Sequence, residues 1–408
     1  MLAEALRLTT SQEDIDELTA QLEAELKECE ATTVSYKNKL KQFMMENEIW
    51  QISELNYYWR EKYCEYLKHR MSKTSCELYI KTFDRVKLHS LRKQPPIILA
   101  GKRQRPQYAD EILYLPYHPN IEIAERFFKE NNKNLLAWDF TLKTAEKLKR
   151  QIFQVLHYFI ENAANSERMH AQLGGLARLY DFCVLEQIED LEKLEIDQIE
   201  RFQKTFTTEY QRHYYAGVTY WCGRALFMEA EEIHWDANVW YMERMHLQPE
   251  RIDPAAPVMS LSFAEVTNKE NRKLLQKYLR YGIGITNLSI SSLRTEFLVV
   301  RKFLGDMNQP ETENICMVTE QQMDAWLRSE QQREVQADTF NKKVMCILHF
   351  FQYLQIKDYI TAIPFDPNYY FKKTFMQHHD RSVAQETMDQ IRRNLYRFPE
   401  EVRLMYLH

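Results

Sequence analysis

Apolar residues recur at spacings of three and four along most of the chain, the period of one face of an α-helix. The pattern is clearest within residues 11–31, where Ile15, Leu18, Leu22 and Leu26 follow it with acidic residues between them. The same period predicts helices over residues 33–45, 53–68, 73–92, 144–160, 171–183, 263–281 and 288–304, with a helical pattern through most of 120–205. The pattern therefore predicts a mainly α protein.

Two helices near the end of the chain have recognisable starts. Thr319 precedes Gln322 by three positions, which is the spacing of a capping box. Asp338 or Thr339 opens the next helix, in which apolar residues such as Val344 face inward. Pro364 and Pro367 then end the helical pattern, because proline cannot continue a helix.

Composition agrees with the helical reading. The 408 residues contain only 8 Gly and 12 Pro, which disfavours turn-rich β architectures. The helical pattern breaks at residues 94–106, a basic linker, and at 249–257, a proline-bearing boundary that follows aromatic residues expected to pack between domains. Gly282-Ile283-Gly284 lacks the third glycine and the acidic residue of a dinucleotide site, so we expect a loop there.

Charge is unevenly distributed. The net charge is −5, yet residues 35–108 hold sixteen basic and seven acidic side chains, and residues 269–302 hold eight basic and two. Residues 1–34 are acidic, with nine acidic and two basic side chains. A polyanion could bind the two basic regions while the whole protein stays acidic. Charge alone leaves solvated helix faces as the other interpretation.

The cysteines and the hydropathy pattern exclude several classes of protein. Seven dispersed cysteines contain no C-x-x-C pair, so we expect small buried side chains rather than disulfides or zinc ligands. The chain has no long uncharged apolar run and its first residues do not resemble a signal peptide, so we expect no membrane association and a cytoplasmic location.

Residues 288–367 contain an ordered set of motifs. They are L-S-x-x-S-L-R-x-x-F-x-x-x-R-x-F-L, V-T-x-x-x-M-x-x-W-L, A-D-T-F-N-K-K-x-x-x-I-L-x-F-F-x-Y-L and I-P-x-D-P. In this order they resemble the core-binding, SAM-like domain of tyrosine recombinases and integrases, with Asp366-Pro367 in place of the family's Asn-Pro. Residues 381–406 look like the opening of that family's catalytic domain.

The resemblance implies a division of the chain into tandem helical units. They are 1–31, an acidic amphipathic helix; 32–118, a core-binding-like unit with the basic linker; 119–258, a middle helical domain with an aromatic-rich extension; 259–376, a SAM-like core-binding domain; and 381–408, the incomplete start of a catalytic domain. It also implies that the first catalytic arginine would come about ten residues after His408, so no catalytic residue is assigned in this chain.

In this family the core-binding domain grips one face of a DNA duplex. The resemblance therefore implies double-stranded DNA as the partner, self-association on DNA, no cofactor, no metal and no small-molecule substrate, in a bacterial cytoplasm where the protein associates with the nucleoid. Matching by position, the expected DNA contacts are Lys73, Thr74, Lys81, Arg85, Lys102, Arg103, Arg105, Ser291, Arg294, Thr295, Thr339, Asn341, Lys342 and Lys343.

Two other functions compete with DNA binding. The helical units could form a protein–protein scaffold whose basic faces meet acidic partners, although a regular repeat period of the kind typical of solenoids is not found. An enzyme with an unrecognised helical fold is also compatible with the sequence. Binding to duplex DNA at two salt concentrations separates the scaffold from the recombinase-like reading.

Overall fold

The computed structural model describes residues 12–29, 33–68, 70–93, 111–129, 136–307, 309–310, 312–333, 335–374 and 383–407. The prediction of a mainly α protein is confirmed. Contacts divide the chain into two compact units, the first ending at Thr312 and the second beginning at Glu313. This division lies within the predicted 259–376 domain, whose bounds remain a prediction.

The first unit contains most of the helices and four short strands. Its helices are α1 (Gln12–Glu28), α2 (Val34–Glu46), α3 (Tyr57–Lys68), α4 (Lys73–Lys93), α5 (Ile121–Phe128), α6 (Glu146–Asn162), α7 (Ser166–Leu185), α8 (Ile196–Lys204), α9 (Glu209–Tyr214), α10 (Val218–Glu229), α11 (Lys269–Ile285) and α12 (Ile290–Met307). Its strands are β1 (Ile112–Tyr114), β2 (Ala137–Asp139), β3 (Val239–Tyr241) and β4 (Ser260–Ser262).

The first four helices share one apolar core. Leu22 and Leu26 of α1 are buried in it, as the helical spacing predicts. Phe43 of α2, Tyr63 of α3 and Phe83 of α4 complete its aromatic centre. The expected helix over 53–68 is shorter than predicted, since a 3-10 turn occupies Ile52–Glu54 and α3 begins at Tyr57.

The strands form two antiparallel pairs that the helical period does not predict. Leu113 of β1 lies opposite Trp138 of β2, and Trp240 of β3 lies opposite Leu261 of β4. The expectation of helix through 120–205 is therefore wrong at β2, and the expected helix over 263–281 is wrong for its first six residues. Asn268 caps α11 by accepting a hydrogen bond from the backbone N–H of Asn271 at 2.9 Å, so α11 begins at Lys269.

Trp240 is fully buried within the first unit, in which the proline-bearing stretch at 249–257 also lies. Its ring centroid is 4.6 Å from that of Phe263, and Phe263 is 5.1 Å from Phe297 of α12. This aromatic chain packs the β3–β4 pair against α12. Burial of three large rings is a major source of apolar stabilisation.

The Gly282-Ile283-Gly284 segment is helical, so the expectation of a loop is wrong. It forms the last turns of α11, where the helix packs closely on α12. A β-carbon at Gly282 would lie 2.7 Å from Cδ2 of Leu293, whereas nothing lies within 4 Å of one at Gly284. Close packing of α11 on α12 therefore explains why glycine occupies position 282.

Substitution of Gly282 by Val is expected to lower the free energy of unfolding by about 1–3 kcal/mol, the usual cost of overpacking a core. The Gly284→Val variant is the matched control and should change stability by less than about 0.5 kcal/mol. Urea unfolding of both variants measures the difference. Equal losses would show that the contact with Leu293 does not determine the effect.

The second unit contains α13 (Glu320–Gln332), α14 (Ala337–Ile356), α15 (Gln385–Arg393) and α16 (Glu400–Leu407). The predicted capping box is confirmed: Thr319 accepts from the backbone N–H of Gln322 at 3.3 Å, and Gln322 accepts from that of Thr319 at 2.9 Å. Val344 and Ile347 of α14 are buried, as predicted.

All seven cysteines are free thiols, of which Cys29, Cys76, Cys183, Cys222 and Cys346 are buried. Cys64 and Cys316 are half-buried. The prediction of small packed side chains is thus confirmed for the five buried thiols. Burial raises the pKa of Cys183 to about 12, which keeps this thiol protonated at neutral pH.

Candidate nucleic-acid interface

The outer face of α4 presents the first group of predicted contacts. Lys73 and Thr74 are exposed in the first turn, and Lys81 and Arg85 are exposed about two and three turns beyond. Lys81 and Arg85 are four residues apart, so they share one side of the helix. The cap comes from Ser72, whose hydroxyl accepts from the backbone N–H of Ser75 at 3.4 Å. This leaves the Thr74 hydroxyl on the surface.

Ser291, Arg294 and Thr295 lie in the first turns of α12. The Ser291 hydroxyl is 3.0 Å from the Ser289 hydroxyl, and the Thr295 hydroxyl donates to the Ser291 carbonyl at 3.0 Å. Both hydroxyls are half-buried and used within the helix start. Arg294 is exposed, so it is the outward group of this set.

The remaining described candidates belong to α14 in the second unit. Asn341 donates to the carbonyl of Lys372 at 2.9 Å and accepts from its backbone N–H at 2.8 Å. Lys343 pairs at 2.7 Å with Glu330, whose side chain is 1% exposed. The polar atoms of these two side chains are therefore occupied by the unit's own packing, whereas Thr339 and Lys342 are exposed.

Three predicted contacts lie outside the described residues. They are Lys102, Arg103 and Arg105 of the basic linker.

The structure separates the cations of residues 269–302 into inward and outward groups. Arg272 is buried, with its guanidinium 2.8 and 2.5 Å from the two carboxylate oxygens of Glu195. It also donates to Asn238 at 2.8 Å and to the Val266 carbonyl at 2.9 Å. This arginine links α11 to Glu195, the N-cap of α8, and to Asn238, the residue before β3, so its charge is compensated inside the unit.

Arg301 is a second inward cation. It pairs with Glu265 at 2.8 Å and donates to the Ser262 carbonyl at 3.1 Å. Burial lowers the pKa of Arg301 and the Glu265 carboxylate opposes that change. Arg301 therefore holds α12 to the β4 segment and adds little to the surface charge.

The outward cations form a stripe along α11. Lys273, Lys277 and Arg280 are exposed at spacings of four and three, so they share one face of the helix. These three residues are absent from the set predicted by sequence, which relied on hydroxyl-bearing helix starts. The excess of basic residues within 269–302 was the sequence signal that could have identified these three cations. That excess does not show which of the cations face outward.

We call residues 277–294 the α11–α12 corner; it comprises the end of α11, the connecting loop and the first turns of α12. The Arg280 guanidinium lies 4.8 Å from the ring centroid of Trp235, which restrains its side chain. Among the described residues neither Arg280 nor Arg294 forms an ion pair. Arg280 and Arg294 therefore present two charges of the corner that no carboxylate pairs with in the described part of the chain.

A cleft of about 940 Å³ lies elsewhere in the first unit, between α6, α10 and the segment that follows α10. Glu192 is buried beside it and accepts from Nδ1 of His234 at 2.8 and 2.9 Å. Burial raises the pKa of Glu192, although His234 counteracts the rise. Six acidic and four basic side chains line the cleft, and this balance opposes binding of a polyanion.

No group of three or more His, Cys, Asp or Glu side chains that could hold a metal ion is found among the described residues. The helices of the described residues include none with the length and apolar character needed to span a bilayer.

Comparison of the chain with protein-family models, with curated proteins and with solved structures finds no match. The candidate interface is therefore defined by its own residues alone.

Proposed function

We propose that this chain binds double-stranded DNA through the outward cations of α4 and of the α11–α12 corner. In this proposal it is the DNA-holding, amino-terminal region of a site-specific tyrosine recombinase that acts in integration of a mobile element. The observation that carries the proposal is the exposed set Lys277, Arg280 and Arg294, held by two closely packed helices.

The physical basis is neutralisation of phosphates. Lysine and arginine side chains release condensed counterions when they contact the DNA backbone, and this term dominates sequence-independent affinity. Arg280 and Arg294 suit the task because a guanidinium binds phosphate in a bidentate geometry. Exposed Lys73 and Lys81 add charge on α4, and Thr339 with Lys342 add a hydroxyl and a cation in the second unit.

The proposal assigns DNA binding to this chain and does not assign it a chemical reaction on DNA. No residue of the chain is assigned to strand cleavage, and the cleft beside Glu192 and His234 has the wrong charge balance for a DNA site. The proposed role is to hold the duplex, in the bacterial cytoplasm and together with further copies of the protein, as the resemblance implies.

Fluorescence anisotropy with a labelled duplex tests the proposal. If about six phosphates are neutralised, the logarithm of the affinity should fall with the logarithm of the salt concentration with a slope of about −5. The double variant Arg280→Ala/Arg294→Ala should lose two contacts and make the slope less steep by about 1.8. No binding of the wild-type chain at low salt would overturn the proposal and favour the protein scaffold.

A control variant removes the same amount of positive charge from a surface outside the proposed interface. Lys204 of α8 and Arg212 of α9 are exposed cations outside the proposed interface. Their double alanine variant should keep the wild-type slope. The same change in both double variants would mean that net charge, rather than this interface, attracts DNA.

A further inference from the structure

Arg251 binds three backbone carbonyls with one guanidinium group. Its Nε donates to Leu288 at 2.9 Å, and its two Nη atoms donate to Ile283 at 2.7 Å and Gly282 at 3.2 Å. Arg251 ends the 3-10 turn Pro249–Arg251, and its side chain is half-buried. A side chain with this role is unexpected in a stretch predicted only as a boundary.

Two of the three carbonyls belong to the end of α11, and the third belongs to the loop that follows it. Gly282 and Ile283 are in the last turn of α11, where carbonyls lack donors from within the helix. Leu288 is in the loop that leads to α12. The guanidinium is planar and presents its donors in a fixed fork, so it fixes the helix end and the loop relative to each other.

Two further contacts stabilise the end of α11 against the residues that follow it. The Thr286 hydroxyl donates to the Gly282 carbonyl at 2.7 Å, and Leu293 packs against the bare Cα of Gly282. Arg280 lies two residues before Gly282, and Arg294 directly follows Leu293. The group of contacts around Arg251 thus sets the direction in which both outward arginines leave the backbone.

We infer that Arg251 is a positioning residue for DNA binding, one that holds the α11–α12 corner in its binding geometry without itself contacting the phosphates. The inference rests on the proposed function. Rigid presentation matters because a site that must be ordered on binding loses affinity to the entropy of ordering. Lysine at position 251 would keep the charge but could not donate in three fixed directions.

The test compares Arg251→Lys with Arg244→Lys in the full chain, using the labelled duplex. Arg244 is a matched control, because its guanidinium also donates to backbone carbonyls, those of Ala230 at 2.7 Å and Glu231 at 3.4 Å, away from the corner. We expect Arg251→Lys to weaken binding by about threefold to tenfold, the effect of ordering one or two side chains. Arg244→Lys should bind as wild type does.

The salt dependence separates positioning from direct contact. Arg251→Lys keeps the charge at this position, so a second variant, Arg251→Met, removes it. If Arg251 only positions the corner, both variants weaken binding and both keep the wild-type slope. A slope less steep by about 0.9 in Arg251→Met alone would show a phosphate contact and overturn the inference.

A double-mutant cycle adds a readout that a general loss of stability does not change. The effect of Arg294→Ala should be smaller in the Arg251→Lys background than in the wild type, because the entropy of ordering a looser corner offsets part of what the Arg294 contact contributes. The effect of Lys81→Ala, on α4, should be the same in both backgrounds. Additivity in both cycles overturns the inference.

Failure of the two proposals can be told apart. If the wild-type chain does not bind the duplex, the proposed function fails and the inference fails with it. If the wild type binds and both Arg251 variants bind equally well, the inference alone fails. Should Arg251→Met not fold, as judged by its melting curve, the affinity of Arg251→Lys and its cycle with Arg294→Ala still decide the question.

Discussion

Replacing Asp84 with Asn should lower the free energy of unfolding by about 3–5 kcal/mol, because it removes the buried counter-charge of a buried arginine and leaves only Glu61, a half-exposed carboxylate 3.2 Å away. Asp84 of α4 binds Arg60 of α3 with both carboxylate oxygens, at 2.8 and 3.3 Å. Arg60 is 7% exposed and Asp84 is 9% exposed. The pair therefore joins two helices of the amino-terminal core away from water.

The surroundings of the pair strengthen this expectation. The Tyr117 hydroxyl donates to Asp84, and the Arg60 guanidinium lies 5.1 Å from the ring centroid of Tyr114. Burial alone would lower the pKa of Arg60, but the charge and hydrogen bonds of Asp84 raise it above its ordinary value. Arg60 thus stays charged, and asparagine at position 84 cannot neutralise it.

Urea unfolding of Asp84→Asn and Glu65→Gln measures the effect. Glu65 pairs with Lys62 on the same helix α3 at 3.5 Å, and these side chains are 62% and 49% exposed. Exposed pairs contribute about 0–1 kcal/mol, so Glu65→Gln should be nearly neutral. A loss below about 1 kcal/mol in Asp84→Asn would show that Asp84 is not the main partner of the buried Arg60 charge.

Acid should destabilise the middle of the first unit through a pair of buried histidines. Nε2 of His118 lies 2.9 Å from Nε2 of His157. The backbone N–H of Asn120 donates to Nδ1 of His118 at 2.9 Å, so the proton of neutral His118 is on Nε2. Nδ1 of His157 lies 2.8 Å from the Phe153 carbonyl, so Nε2 of His157 is the acceptor. Both rings are therefore neutral in this arrangement.

Burial and the neighbouring His157 lower the pKa of His118 to about 3. The unfolded chain has a histidine pKa of about 6.5, so the unfolded state takes up a proton first as the pH falls. Stability from this group is complete above pH 6.5 and decreases from there towards pH 3. The slope is about 1.4 kcal/mol per pH unit for one such proton.

The variant His118→Gln should remove most of this pH dependence, while being less stable than the wild type at neutral pH. The wild type and the variant should therefore approach each other in stability as the pH falls, which urea unfolding at a series of pH values measures. His213→Gln, at an exposed position of α9, is the control and should retain the wild-type slope. Parallel pH profiles for wild type and His118→Gln would contradict the expectation.

The apolar period predicts the helices well because each one packs a single face into a core. The stripe of Leu22 and Leu26 is buried as expected, and so is that of Val344 and Ile347. The strands are invisible to the same method, since three residues are too few to show an alternation of period two. Pairing of Val239 with Ser262 depends on residues far apart in the chain, which a local pattern does not contain.

The candidate interface is predictable only in part for a related reason. Net charge in a window reveals that cations are present, but the carboxylates that neutralise some of them are distant. Arg272 meets Glu195, 77 positions earlier, and Lys343 meets Glu330, 13 positions earlier. The outward direction of Arg280 and Arg294 becomes apparent only when these internal pairs are known.

The pairing of β3 with β4, together with the contacts of Arg272, limits how the protein can be dissected. A fragment that starts at residue 259 would contain β4 without its partner strand and Arg272 without Glu195 and Asn238. An unpaired edge and an uncompensated buried cation both favour aggregation or unfolding. Cutting the polypeptide beside Thr312, where the first compact unit ends in the sequence, would keep both the β3–β4 pairing and the contacts of Arg272.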